Sequence, residues 1–177
     1  MPGTDHQTRF HGATLSSFTS IAMDPFPLIS FALRIPSRMA TALNGASSNA
    51  PADMVVNLLS AKQALVAERF SRADLHPHPF DETDHSLSID DLPIIRGSLG
   101  ALSCKLVSRG LPLHDMQLLG AGRFDLPPTE DVDASHVVSQ LFIARVTRVE
   151  DLGEELGEEQ QQQLPLLYYR RQYTTTH

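Results

Sequence analysis

The chain has 177 residues, 41% of them hydrophobic, which is enough to build the core of one ordinary domain. Its net charge is −7, from 14 Lys and Arg against 21 Asp and Glu. This argues against nucleic acid as a partner, because phosphate backbones need a basic surface. No apolar run approaches the roughly 20 residues of a membrane span, so no membrane partner is predicted. One cysteine, Cys104, indicates a reducing compartment such as the cytoplasm, and a mitochondrial location stays open if the N-terminus is incomplete.

The first third of the chain predicts two strands and a helix. Residues 1–10 are polar and unpatterned, and residues 12–21, rich in Ser and Thr, predict the first strand. Residues 27–34 are mostly apolar and predict a second, buried strand. Ser37 then stands where a helix N-cap is expected, and Asn44-Gly45 predicts the end of that helix.

The middle of the chain predicts another strand and a second short helix. Residues 53–59 form the strand, and Ser60-Ala-Lys-Gln63 matches a capping box at the start of an amphipathic helix. Residues 71–93 hold several Pro, Asp and His and predict an irregular surface loop. Residues 100–108 alternate, so that Cys104 faces away from Ser103 and into the core.

The last third of the chain mixes one clear strand with irregular segments. Residues 110–136 predict a long insert, residues 137–149 a strand, and residues 150–163 an acidic, low-complexity loop. In total there are about five strands, two short helices and no alternation of strands with helices. This pattern predicts a mainly β fold, an antiparallel barrel or sandwich.

The segment Gly12-Ala-Thr-Leu-Ser-Ser-Phe-Thr-Ser20 combines little side-chain bulk with several hydroxyl groups. Small residues let a flat ligand approach the backbone, and hydroxyl and N–H groups can then bond its edge. The alternative is a Ser- and Thr-rich edge strand that merely faces water.

A second candidate feature is the start of the first helix. Ser37 offers a hydroxyl group, and Arg34 and Arg38 offer fixed positive charge suited to a phosphate. The alternative is an ordinary N-cap beside two surface arginines. Taken together, the two features fit a planar, phosphorylated ligand such as FMN.

Five segments, in this order, resemble the flavin reductase-like, FMN-binding split-barrel family: residues 11–39, 55–59, 67–71, 92–104 and 165–169. The resemblance implies a flavin reductase-like domain over residues 11–173, with a Greek-key split β-barrel that forms a homodimer. It also implies FMN as cofactor, with FAD as an alternative, and NAD(P)H as the reductant. A monooxygenase that receives the reduced flavin is an implied partner, and no protein residue need act as an acid or base.

Carried over by position, the resemblance also implies the ligand-binding residues. The first predicted strand would line the isoalloxazine, and residues of the second strand would flank it. The ribityl phosphate would lie toward the start of the first helix, and two residues near the C-terminus would close the site. In chain order these residues are Thr14, Leu15, Ser16, Ser17, Ser20, Phe31, Ala32, Ser37, Arg38, Tyr168 and Arg170.

The chain departs from the family pattern in two places. Many reductases carry a His that helps to seat the nicotinamide, and Ser139 stands in that position, with His136 and His114 as candidate substitutes. The family's helix and first strand before residue 12 have no counterpart in residues 1–10, which predicts a shortened version of a longer domain. Residues 37–39 and the long insert resemble eukaryotic, fungal-type members.

The histidines and aspartates of the loop at residues 71–93 lack a paired ligand spacing and are interrupted by prolines, so no metal site is predicted. The missing His and the acidic loop leave a second functional hypothesis open, a flavin-binding carrier or interaction module without turnover.

Overall fold

The computed structural model describes residues 10–47, 49–115, 119–120, 138–152 and 164–176. The described part is mainly β, with two α-helices, α1 (Arg38–Asn44) and α2 (Ala64–Ser71). Neither helix is long and apolar enough to cross a membrane. The strands are β1 (Thr19–Ala22), β2 (Leu28–Ile35), β3 (Met54–Leu58), β4 (His85–Leu87), β5 (Pro93–Ile95), β6 (Gly100–Leu106), β7 (Leu111–Pro112), β8 (Val138–Val149), β9 (Leu167–Tyr169) and β10 (Gln172–Thr174).

The largest sheet has six strands in the order β1-β2-β8-β6-β3, with β7 also pairing with β8. The β1–β2, β2–β8 and β7–β8 pairs are antiparallel. Two smaller antiparallel hairpins join β4 to β5 and β9 to β10. This topology confirms the predicted mainly β, antiparallel class.

The chain divides into two compact units, each with its own core. The α1 unit comprises Leu15–Met54 and Cys104–Thr147, and in its core the ring of Phe31 stacks on that of Phe142 with centroids 5.5 Å apart. The α2 unit comprises Met1–Thr14, Val55–Ser103 and Arg148–His177. Its hydrophobic cluster consists of Phe70, Phe80 and Ile95, with Phe10, Leu59 and Val66 packed against them.

The start and end of α1 confirm the predicted capping. Ser37 has extended backbone angles, and its side chain accepts a hydrogen bond from the N–H of Ala40 at 3.2 Å. At the other end, the N–H of Gly45 donates to the carbonyl of Thr41 at 3.1 Å. Both contacts satisfy backbone groups that lack a partner inside the helix.

The prediction for the first strand was too long, because the strand begins at Thr19 rather than at residue 12. Ser16 and Ser17 form a bend instead. The hydroxyl of Ser17 accepts from the N–H of Ala32 at 2.8 Å and donates to its carbonyl at 3.2 Å. A serine side chain thus makes the bonds that a neighbouring strand would make, which is how Ser competes with regular structure.

The predicted surface loop at residues 71–93 is more ordered than expected. It contains a 3₁₀ turn at Pro79–Glu82 and the strand β4. Phe80 is buried edge-on against Phe70, with ring centroids 4.8 Å apart. The prolines and histidines of the segment suggested a loop, whereas one large aromatic side chain is enough to fix it to the core.

Strand β6 is buried on both faces, although its alternating pattern suggested one polar face. Ser103 and Cys104 are both fully buried. Ser103 tolerates burial because its hydroxyl donates to the carboxylate of Glu150. The greater part of the predicted insert at residues 110–136 and the loop at residues 153–163 lie outside the described residues.

Gly12 lies against the hydrophobic cluster of the α2 unit, where there is no room for a side chain. A Cβ at this position would lie 2.6 Å from the ring of Phe70 and 3.3 Å from that of Phe80. We expect Gly12→Ala to lower the free energy of unfolding by about 1–2 kcal/mol, because overpacking displaces both rings. Chemical denaturation would measure this loss. Gly45→Ala is the matched control, since its Cβ would meet its nearest neighbour at 3.5 Å, and an equal loss in both variants would refute the overpacking argument.

Candidate functional site

The candidate site begins at the edge of β2 that faces β1. Strand β1 pairs with β2 only from Leu28 to Ser30. Beyond Ser30, the Ser17 hydroxyl holds the N–H and the carbonyl of Ala32. Ser17 is exposed and Ala32 is half-buried, so two small side chains meet at the surface of this stretch of β2. A flat ligand can approach such a stretch closely.

Positive charge gathers where β2 leads into α1. Arg34 and Arg38 are exposed, and no carboxylate among the described residues pairs with either of them. Ser37 lies between them with its oxygen accepting from Ala40. Because that bond uses only a lone pair, the Ser37 hydroxyl proton stays available to an anion. One hydroxyl and two guanidinium groups therefore lie within five consecutive residues.

The start of β8 lies beside the same end of β2. Ser139 pairs in register with Arg34, and the N–H of Leu113 donates to the Ser139 carbonyl at 2.9 Å. His114 follows Leu113 directly and is exposed. The sequence suggested His114 only as a histidine within the predicted insert, and the short strand β7 that precedes it was not predicted. His136, the other candidate, lies outside the described residues.

Two side-chain contacts hold β7 beside β8. The Asn44 side chain donates to Gln140 at 2.8 Å and accepts from the N–H of Gly110 at 3.0 Å. A Cβ at Gly110 would lie only 2.7 Å from the ring of Phe142, so a glycine is needed for this approach. The end of α1 and the start of β7 are thereby fixed to β8.

The other predicted ligand residues of the α1 unit have different surroundings. Ser16 and Ser20 are exposed, and the Ser20 hydroxyl lies 3.9 Å from the sulfur of Met23. Leu15 is half-buried. Phe31 is 1% exposed and stacked on Phe142, so its side chain supports β2 from the core.

Thr14, Tyr168 and Arg170 belong to the α2 unit. The Thr14 hydroxyl donates to the carbonyl of Ala67 at 2.5 Å, and its N–H donates to that of Phe70 at 3.3 Å. The Thr14 hydroxyl proton is therefore donated to α2, and toward a ligand the Thr14 hydroxyl can only accept a hydrogen bond.

The tail residues lie on the β9–β10 hairpin. Tyr168 is 57% exposed, and its ring packs against that of Tyr173 with centroids 5.2 Å apart. The guanidinium group of Arg170 lies 5.2 Å from the centre of the Tyr169 ring. Burial raises the pKa of Tyr173, and a hydrogen bond with Ser71 opposes that shift.

The described residues contain neither an activated thiol nor a metal-binding cluster. Burial raises the pKa of the Cys104 thiol to about 12, so it stays protonated and inert at neutral pH. In the described ranges, no three His, Cys, Asp or Glu side chains lie close enough to hold a metal ion.

A partly buried ionic network in the α2 unit was not predicted. The guanidinium group of Arg148 contacts Asp90, Glu150 at 2.7 Å and the hydroxyl of Ser103 at 3.3 Å. The carboxylates of Asp90 and Glu150 are only 10% and 8% exposed. The network ties the end of β8 to β6 and to the turn at Asp90, and Asp90 and Ser103 are too far from Arg148 in sequence to form a motif with it.

Comparison with known proteins identifies a family. Residues 2–177 match the model of the flavin reductase like domain. A segment of 94 residues is 30% identical to the FMN reductase (NADH) SmoA of Agrobacterium fabrum, covering 53% of this chain and 49% of that protein. The chain therefore spans about half the length of this curated relative.

Solved structures share the fold. Nitrilotriacetate monooxygenase component B from Mycobacterium thermoresistibile is 25% identical, with a TM-score of 0.63 over 94% of this chain and 72% of that chain. An FMN-binding protein from Thermus thermophilus, solved with bound 1-cyclohex-2-enone, is 16% identical, with a TM-score of 0.62 over 99% of this chain and 90% of that chain. The predicted split-barrel fold is thereby confirmed.

Proposed function

This chain belongs to the flavin reductase like domain family, and on that premise we propose that it binds FMN and uses NAD(P)H to reduce it. Flavin reductases are oxidoreductases in which the bound flavin accepts a hydride and carries the redox chemistry. The protein supplies binding, orientation and electrostatics. The relative SmoA is an FMN reductase that uses NADH, which makes FMN and NADH the first ligands to test.

The observation that carries the proposal is the arrangement along β2. Along the β2 backbone, the small side chains of Ser17 and Ala32 lead within two residues to Arg34 and from there to Ser37 and Arg38. The isoalloxazine edge would lie along this backbone, next to Leu15, Ser16 and Ser20, and the phosphate would bind at the cationic end. Thr14, Tyr168 and Arg170 stay predictions carried by family position alone.

At the cationic end each residue has a distinct role toward FMN. The planar guanidinium groups of Arg34 and Arg38 suit bidentate bonds to phosphate oxygens. Ser37 would donate its hydroxyl proton to the phosphate while its oxygen continues to cap α1. When bound, FMN would supply the hydride acceptor, and these residues would fix the position of its ring.

The partners implied by the family are also part of the proposal. One relative is component B of a monooxygenase, and by analogy this chain would pass reduced flavin to a separate oxygenase. We further propose a homodimer, since a second copy would cover a flavin that one chain leaves partly exposed. Light scattering at micromolar concentration on the flavin-bound protein would test the dimer, and a monomeric mass would contradict it.

The direct test of the function is a flavin titration followed by a turnover assay. The chain mixed with FMN should quench flavin fluorescence in a saturable way, and the complex should oxidise NADH or NADPH faster than free FMN does. Repeating both measurements with FAD shows whether the chain prefers FMN or FAD. Absence of any saturable flavin binding would contradict the proposal.

His114 is the candidate for seating the nicotinamide, because the residue before it, Leu113, is hydrogen-bonded to Ser139. We expect His114→Ala to raise the KM for NADH by about tenfold, the loss of one hydrogen bond worth about 1.4 kcal/mol, without changing FMN affinity. His78→Ala is the control, since it removes an exposed imidazole that is not part of the candidate site. Unchanged kinetics would eliminate His114 from the site.

A second candidate function is a flavin carrier without turnover. Ser139 stands where many reductases have a His, and the Thermus thermophilus neighbour is named an FMN-binding protein rather than a reductase. Tight FMN binding combined with an NADH oxidation rate no higher than that of free FMN would favour this candidate.

A further inference from the structure

Strand β7 is too short to hold itself firmly against β8. It has two residues, Leu111 and Pro112, which pair with Leu141 and Gln140 of β8. Pro112 has no N–H, so the strand can offer only the N–H of Leu111 to a ladder of hydrogen bonds. Contacts from outside the ladder are therefore needed to keep the segment around β7 in place.

The Asn44 side chain, at the end of α1, supplies such contacts. Its oxygen accepts from the N–H of Gly110 at 3.0 Å, and its nitrogen donates to the side-chain oxygen of Gln140 at 2.8 Å. A backbone N–H can only donate, so the Gly110 bond decides which end of the Asn44 amide faces which partner. Gln140 is also the residue that pairs with Pro112. One amide thus joins α1, β8 and the start of β7 beside the pair that contains the proline.

The same contacts limit where the chain can go after β7. The N–H of Leu113 donates to the carbonyl of Ser139 at 2.9 Å, and the next residue, His114, is exposed. Before β7, a Cβ at Gly110 would lie 2.7 Å from the ring of Phe142, so this segment is already as close to β8 as packing allows. The movement that remains is away from β8, and the two bonds of the Asn44 amide resist it.

We propose that Asn44 is a positioning residue for the reductant, because it holds the segment from Gly110 to His114 against β8 and so sets the place of the His114 imidazole. The inference rests on the proposed function, in which His114 seats the nicotinamide. Asn44 acts through that segment, since it is half-buried and both ends of its amide bond to protein groups. Without the amide, the segment would occupy more positions, and NADH would have to order it on binding.

The structural half of the inference can be tested without any ligand. In Asn44→Ala, we expect the amide proton of Leu113 to exchange with solvent about tenfold faster, because its bond to Ser139 opens more often. The amide of Val107, which donates to Ile143 at 2.9 Å, reports on another part of β8 and should be unaffected. Asn49→Ala is the matched control, since it removes an exposed asparagine of the same unit. Amide hydrogen exchange followed by NMR measures these rates.

The functional half is tested by a double-mutant cycle with His114. With FMN bound, Asn44→Ala should raise the KM for NADH by about fivefold and leave the Kd for FMN unchanged. The increase should vanish when His114 is already alanine, because a residue that acts through the imidazole then has nothing to position. A merely structural role would lower the melting temperature and leave the KM unchanged, or its effect would add to that of His114→Ala.

Two further variants keep the test sharp if Asn44→Ala folds poorly. Asn44→Asp still accepts from Gly110, and the Gln140 amide can turn to donate to the new carboxylate, so the KM for NADH should return close to that of the unmodified chain. Gln140→Met removes one of the two contacts of Asn44 and should give a smaller rise in KM than Asn44→Ala.

Each outcome decides the inference separately from the proposed function. Unchanged exchange at Leu113 overturns it, and so does an effect on KM that persists without the His114 imidazole. A fall in FMN affinity would place the effect of Asn44 at the flavin and also overturns it. If the chain binds no flavin, the proposed function fails, and calorimetry with NADH alone then decides the inference. Weaker NADH binding in Asn44→Ala that depends on His114 supports it, whereas equal binding or no binding overturns it.

Discussion

Replacing both Ser37 and Arg38 by alanine should weaken FMN binding by about 2–3 kcal/mol, or roughly 30- to 150-fold in Kd. Arg38 loses a charge-assisted bond to the phosphate, and Ser37 loses the hydroxyl proton that its capping role leaves available. A fluorescence-quenching titration measures the change. The difference should shrink when FMN is replaced by riboflavin, which lacks the phosphate.

Single substitutions at Ser37 separate ligand binding from helix capping. Ser37→Thr keeps the cap and the hydroxyl proton, so FMN affinity should be retained. Ser37→Asp also caps a helix well but brings a negative charge to the phosphate, so affinity should fall while the melting temperature holds. If Ser37→Asp binds FMN as tightly as the unmodified chain, the phosphate does not bind at the start of α1.

The sequence was sufficient for elements whose ends are set by local chemistry. Helix α1 could be predicted because Ser37 caps it and Gly45 ends it, and both contacts are made within a few residues. Strand β2 could be predicted because it is apolar throughout its buried length. The length of the first strand could not, because the bend depends on a bond between Ser17 and Ala32, fifteen residues away.

The candidate site was predictable in part for the same reason. Arg34, Ser37 and Arg38 are neighbours in the chain, so their clustering could be seen in the sequence. The bond of Leu113, the residue before His114, to Ser139 depends on β7, a strand of two residues, and on the fit of Gly110 against Phe142. Contacts of this kind arise from packing and leave no periodic pattern.

Glu150→Gln should lower the free energy of unfolding at neutral pH by about 2–3 kcal/mol, or roughly 5–10 °C in melting temperature. The carboxylate of Glu150 is 8% exposed and bonds both Arg148 and Ser103. An amide retains the shape but leaves Arg148 with one buried counter-ion instead of two. Glu82→Gln is the control, because Glu82 pairs with Arg69 but is 61% exposed, and such pairs contribute at most about 1 kcal/mol.

The same network predicts how the effect of Glu150→Gln depends on pH. Burial by itself would raise the pKa of Glu150, but the bonds with Arg148 and Ser103 outweigh burial and leave that pKa below its ordinary value. A carboxylate with a lowered pKa in the folded state stabilises the fold fully above its unfolded pKa of about 4.3 and loses that contribution as the pH falls further. The stability gap between the unmodified chain and Glu150→Gln should therefore be constant from pH 7 to about pH 5.5 and narrow below pH 4. Denaturation series at these pH values would measure it. A gap that stays the same at pH 3.5 would mean that the charge of Glu150 contributes nothing and that the loss comes from packing alone.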